Sequence, residues 1–140
     1  MGAERTVVHR GKMYKIAFAR DHEGASPAEE FFDGLSMVEK AQLSKLFQIL
    51  GDDTHGEPRN PKKFGVLDDG LYEFKSFQIR MPFAYAKGER GLVLITHGFR
   101  KKRDKTPSSQ IARAKRILEE DAETSKVFVI TDQKAKRRRP

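Results

Sequence analysis

The sequence predicts an α+β fold: a small, mostly antiparallel sheet packed against an N-terminal helical hairpin, with a further helix near the C-terminus. Three observations predict it. Two helix-start signals of the form S-x-x-E follow each other closely, at Ser26/Glu29 and Ser36/Glu39. Three strand-like runs then succeed one another between residues 71 and 100. Thr106-Pro107 finally opens an amphipathic run.

The elements follow in order. Residues 14–19 (Y-K-I-A-F-A) alternate and read as a first strand. Ser26-Pro27-Ala28-Glu29 supplies an N-cap, a proline at the first helical position and a glutamate that closes a capping box. Ala28, Phe31, Phe32 and Leu35 form the apolar stripe of that helix. A second helix starts at Ser36 and buries Leu43, Leu46, Phe47 and Leu50, with Gly51 as its stop. So short a connection makes the two helices a packed hairpin. Residues 52–69 are polar, punctuated by Gly and Pro, and read as a loop that carries Arg59, Lys62 and Lys63. Residues 71–77, 78–86 and 92–100 read as three strands of an antiparallel meander. Leu92 to Ile95 is apolar on both faces, so that strand is central. Pro82 cannot donate to a ladder and implies an edge or a bulge. The last helix spans residues 106 to about 123 and buries Ile111, Ala114 and Leu118. Residues 127–130 read as a small extra strand.

A chain of 140 residues, 37% of them hydrophobic, suits one domain with a modest core. It has no cysteine, which excludes disulfides and thiolate chemistry. Residues 1–13 lack the apolar run of a signal peptide, and no stretch is long and apolar enough to span a bilayer. The expectation is a cytoplasmic protein without membrane contact.

The charge is uneven. The net is +8. Residues 100–105 hold five cations and one Asp, and residues 134–139 hold five more cations and no acid, so the rest of the chain is near neutral. Local cationic patches concentrate polyanions and make their binding salt-dependent. The candidate partners are nucleic acid, the ribosome or an acidic protein segment. The tail also reads as a solvated end. The four histidines show no ligand spacing, so neither a metal nor another cofactor is expected.

Several ordered motifs resemble one family. Leu71-Tyr72-Glu73-Phe74-Lys75 is similar to an L-x-E-x-R strand, with Lys where Arg is usual. Arg80 and Tyr85 match an R-x-x-x-Y strand, and His97 to Lys102 match h-G-F-x-K-K. Lys105-Thr106-Pro107 matches K-T-P, with Ile111, Ala114 and Arg116 in the helix that follows. Together they resemble the RelE/ParE toxin superfamily, and within it the HigB-like, phage-associated branch. The resemblance implies one toxin domain at residues 14–124, an N-terminal extension at 1–13 and a C-terminal extension with a basic tail at 125–140. It implies the toxin of a type II toxin–antitoxin pair, commonly a ribosome-dependent mRNA endonuclease. The implied partners are ribosome, mRNA and a cognate antitoxin of helix-turn-helix type, with operator DNA reached only through the antitoxin. A ParE-like inhibitor of DNA gyrase and an inactive nucleic-acid-binding relative are the alternatives.

RNA cleavage by the 2′-hydroxyl needs a proton acceptor, stabilisation of phosphorane charge and a proton donor to the leaving oxygen. The resemblance assigns Lys75, Arg80, Lys101 and Lys102 to catalysis. Arg80 and the lysine pair would meet transition-state charge, and Lys75 is a candidate proton acceptor if cationic neighbours assist it. Alternation places Arg80 away from Ile79, Met81, Phe83 and Tyr85, off the most apolar face. Arg100, Arg103, Lys105, Lys62 and Lys63 are candidate phosphate contacts. Tyr85 and His97 are candidate acid–base or orienting groups, though His97 also reads as a buried structural histidine. Where RelE carries Y-K-I-K, this chain has Tyr72-Glu73-Phe74-Lys75, so Glu73 stands at a lysine position.

Overall fold

The computed structural model describes residues 4–53, 60–102 and 105–137, with residues 126–137 described as backbone only. The order is β1 (Val7–Arg10), β2 (Lys15–Phe18), α1 (Pro27–Asp33), α2 (Met37–Asp52), β3 (Phe64–Asp68), β4 (Leu71–Ser76), β5 (Ile79–Tyr85), β6 (Leu92–Ile95), β7 (Phe99–Arg100) and α3 (Ser108–Arg137). The expected small antiparallel meander under an N-terminal hairpin is corrected. The chain opens on two strands, and the sheet is mixed and seven-stranded, in the order β1-β2-β6-β5-β4-β3, with β7 also on β5. Helices flank this sheet. β2 and β6 pair in parallel, from Lys15↔Leu92 to Phe18↔Ile95. That pairing closes over most of the chain, so no local pattern announces it.

Other differences have local causes. β1 carries a bulge against β2 and half-buried side chains, so it lacks clean alternation. β3 falls in the segment read as loop. Its register against β4, Phe64↔Phe74 to Asp68↔Leu71, comes from pairing rather than from its own residues. Gly51 does not stop α2; the helix runs on to Asp52 with Asp53 as C-cap. The Gly51 carbonyl instead accepts the N–H groups of Met13 and Tyr14. Residues 127–130 are not a strand but part of α3. Pro82 is not at an edge either, because β5 pairs with β4 on one side and with β6 and β7 on the other. Its carbonyl accepts from the Thr96 N–H at 2.9 Å, where the chain has left β6 and not yet entered β7. The missing donor therefore faces a gap in the neighbouring ladder, which removes the usual cost of an interior proline.

The helix starts follow their capping chemistry. The Ser26 side chain accepts from the Glu29 N–H with Pro27 at the first position, and both halves of a capping box join Ser36 and Glu39. The sheet separates two apolar layers. On one face Leu43, Phe47 and Leu50 of α2 meet Ile16, Phe74, Phe83 and Ile95. Phe74 and Phe83 are fully buried and stack at 4.2 Å between ring centroids. On the other face Ile117 meets Ala17, Leu92 and Leu94, and Ala114 meets Leu71 and Ala84. Among the described residues no helix is long and apolar enough to cross a membrane.

Candidate functional site

The site is built on the β4–β5 hairpin, where pleating divides the side chains between two faces. Tyr72 and Phe74 point to the α2 layer. Glu73 and Lys75 point the other way. Lys75 and Arg80 are direct partners across the ladder, and Gly65 of β3 is the partner of Glu73. A Cβ at Gly65 would lie 2.9 Å from Lys75 Cε and 3.1 Å from Glu73 Oε2, so a side chain there would push both groups aside. Four strand positions, Gly65, Glu73, Lys75 and Arg80, thus make one patch at one end of the sheet.

Arg80 avoids the aromatic face as expected, but it is 7% exposed rather than a surface cation. Its Nη1 donates to the carbonyls of Phe77 at 2.7 Å and Ile79 at 2.8 Å. Glu73 Oε2 stands off from Arg80 Nε at 3.9 Å. The other Glu73 oxygen accepts from the Thr106 hydroxyl at 2.8 Å, which ties β4 to the residues that lead into α3. Lys75 Nζ donates to the Pro61 carbonyl at 2.8 Å, and the Lys75 N–H donates to the Lys63 carbonyl. Carbonyl acceptors orient a cation but do not neutralise it, whereas carboxylates do both.

Further cations arrive from the neighbouring segments. The Lys101 N–H donates to the Gln78 carbonyl at 2.7 Å, which sets this lysine beside the hairpin tip. Lys102 and Lys105 are exposed, one after β7 and the other next to Thr106. Lys62 is exposed and Lys63 half-buried in the turn that receives Lys75. Arg100 is also exposed but holds Glu39 of α2 in two hydrogen bonds of 2.9 and 3.1 Å. This Arg100 contact, with the Ser36 N–H, holds the Glu39 carboxyl down at about 2. Arg100 is therefore partly spent on a strap between β7 and α2. Arg103 and Arg59 lie outside the described residues.

Two predicted residues lie apart from the patch. Tyr85 is at the far end of β5 and on the opposite face, in ring contact with Tyr14, Tyr72 and Phe83. His97 is fully buried between β6 and β7. It does not continue the face of Val93 and Ile95, because the strand breaks and turns it toward α3. Its Nε2 meets Gln110 Oε1 at 2.8 Å and its Nδ1 meets the Thr96 hydroxyl at 2.9 Å. Burial, with Arg113 and Arg116 nearby, lowers its pKa to about 4, so the ring is neutral near pH 7.

Sequence reasoning missed three contributors. Thr106 and Gln110 are the partners of Glu73 and His97, and only a long-range fold could reveal that pairing. Phe77, at the hairpin tip, adopts φ 53° and is 77% exposed. A two-residue hairpin turn calls for positive φ at its first position, and that signal was present in the spacing of the strands.

Sequence comparison supplies the lineage. No curated protein matches the chain. Residues 30–119, well over half of the chain, match the family described as Phage derived protein Gp49-like (DUF891), and the chain belongs to this RelE/ParE-like toxin family.

Proposed function

We propose that this protein is the toxin of a type II toxin–antitoxin pair, of the HigB-like branch, and that it cleaves mRNA on the ribosome. The observation that carries this reading is the Lys75–Arg80 pair, held by backbone carbonyls beside Lys101 and Lys102. Such groups keep net positive charge in a fixed place without reorganisation, which is what a phosphorane requires. Arg80 and Lys101 or Lys102 take up the phosphate charge as the RNA 2′-hydroxyl attacks. Lys75 is our candidate to receive the hydroxyl proton, which it can do only as the neutral amine, and the leaving 5′-oxygen takes its proton from water. Lys62, Lys63 and Lys105 extend the cationic surface along the RNA backbone. Glu73 acts here as scaffold, since Thr106 engages one of its oxygens. In this reading His97, buried against Thr96 and Gln110, and Tyr85, among the rings of the opposite face, are structural.

The proposed partners are the ribosome and mRNA, and an antitoxin that covers the cationic end. The antitoxin would be of the helix-turn-helix kind and would supply the only link to operator DNA.

Primer-extension mapping of a defined mRNA, with and without programmed ribosomes, tests the reading. Cuts at in-frame codon positions are expected only when ribosomes are present. Arg80→Gln, and Lys101→Gln with Lys102→Gln, should each lower the cleavage rate by about 10²–10³-fold, the size of losing one preorganised charge donor. Intact message with folded wild-type protein in both tubes would refute the nuclease.

A further inference from the structure

Large apolar side chains stand exposed at six described positions: Met13, Met37, Val38, Ile49, Val66 and Phe77. Only Phe77 among these is aromatic. It also has the strained backbone, since among the described residues it is the non-glycine residue at positive φ. Nothing in the packing asks for a large ring at a turn tip that glycine or asparagine fills at lower cost. Strain of this kind persists where the surrounding structure enforces it, and here Arg80 does so by binding the Phe77 carbonyl at 2.7 Å. The same guanidinium thus fixes the ring-bearing residue and lies within the cationic patch. Lys101 is hydrogen-bonded to Gln78, the next residue of the turn.

We propose that Phe77 is a stacking platform for an unpaired RNA base, placed so that the adjoining phosphate falls on Arg80 and Lys101. An aromatic face beside fixed cations is the usual chemistry of single-strand recognition: the ring takes a base of any identity and the cations take the backbone. An apolar protein surface would leave these cations buried and unpaired, so the tip suits a polyanion, and the antitoxin proposed above would have to bring acidic groups to cover it. The inference rests on the RNA-cleaving reading and adds a subsite to it.

The chain has no tryptophan, so Phe77→Trp introduces a single reporter at an exposed position. A short oligoriboadenylate is titrated in at low salt, with binding followed separately by anisotropy of a labelled strand. Stacking should quench the Trp emission. Phe77→Leu should weaken binding by roughly 5- to 100-fold, and Phe77→Tyr should restore most of it. Thermal melts of Phe77→Leu should match the wild type, because the side chain lies in solvent. Unchanged emission on binding, or wild-type affinity in Phe77→Leu, would overturn the stacking subsite. So would a wild-type protein that does not bind the strand. The ribosome-programmed cleavage assay decides the RNA reading separately, so the failure of one is distinguishable from the failure of the other.

Discussion

Two buried arginines of this protein are held in opposite ways. Arg20, two residues beyond β2, is 4% exposed and Arg80, on β5, is 7% exposed. Arg20 shares the carboxylate of Asp121 with Arg5, through contacts of 3.4 Å and 2.8 Å, and its backbone N–H donates to the same carboxylate at 2.9 Å. Ser125 accepts from both guanidinium groups. Burial lowers the pKa of Arg20 and Asp121 opposes that effect. Arg80 instead relies on carbonyls, with its carboxylate neighbour at 3.9 Å. The first arrangement fastens the N-terminal strands to α3 and leaves little charge for a ligand. The second orients a cation mainly on carbonyls and meets one carboxylate only at 3.9 Å, so more of its charge is left for a ligand. Burial of an arginine is therefore no sign of function by itself; what satisfies it is.

The largest expected effect tests the fastening. Asp121→Ala strands two arginines against α3 and should cost about 3–5 kcal/mol, the range for a buried ion pair broken on one side. Glu73→Gln should cost only about 1 kcal/mol, because an amide oxygen still accepts from Thr106 and Arg80 keeps its carbonyls. Urea unfolding of the two variants gives both numbers. Equal losses would show that Arg80 depends on Glu73 as Arg20 depends on Asp121, and the contrast would fail.

His97 sharpens the comparison with a buried group that is neutral. Its folded pKa, about 4, lies below the ordinary histidine value of 6.5, so the unfolded chain binds the extra proton between these pH values. Its contribution is then present above pH 6.5 and lost as the pH falls toward 4. At about 1.4 kcal/mol per pH unit the loss is on the order of 3–4 kcal/mol. His97→Gln should flatten stability over that window, while Gln110 keeps a hydrogen-bonding neighbour. Exposed His22 works in the other sense: Glu120 raises its pKa, so its support is present below 6.5 and fades as the pH rises further. Thermal melts between pH 4 and 7 separate the two histidines. A slope unchanged in His97→Gln would remove His97 as its source.

What could be read from the sequence follows the range of each interaction. Caps are local, so Ser26, Ser36 and Glu39 announced α1 and α2. Alternation is local too, and it placed Arg80 off the face of Met81, Phe83 and Tyr85, whereas the pairing of Lys75 with Arg80 on one side comes from the β4–β5 register. The parallel β2–β6 pair, and the strands β1 and β3 that complete the sheet, depend on partners far along the chain. The Asp121 cluster was missed for the same reason: Arg5, Arg20 and Asp121 each look like ordinary surface charges in isolation. The K-T-P motif was legible, but its role was not, because the Thr106 hydroxyl is explained only by Glu73.

The smallest effect concerns the turns at the two ends of β4. The β3–β4 turn meets its need for positive φ with Gly70, at 74°. The β4–β5 turn meets it with Phe77, at 53°. A left-handed conformation costs a non-glycine residue roughly 1–2 kcal/mol, and glycine returns about 0.5–1 kcal/mol of that as extra freedom of the unfolded chain. Phe77→Gly should therefore stabilise the protein by about 0.5–1 kcal/mol in urea unfolding, while cleavage of ribosome-bound mRNA falls. A gain in stability with a loss of activity would mean that the site end of the hairpin carries strain which the other turn does not. Loss of stability would mean that the Phe77 ring contributes to the fold, and the turn would then belong with the Arg20 end as scaffold.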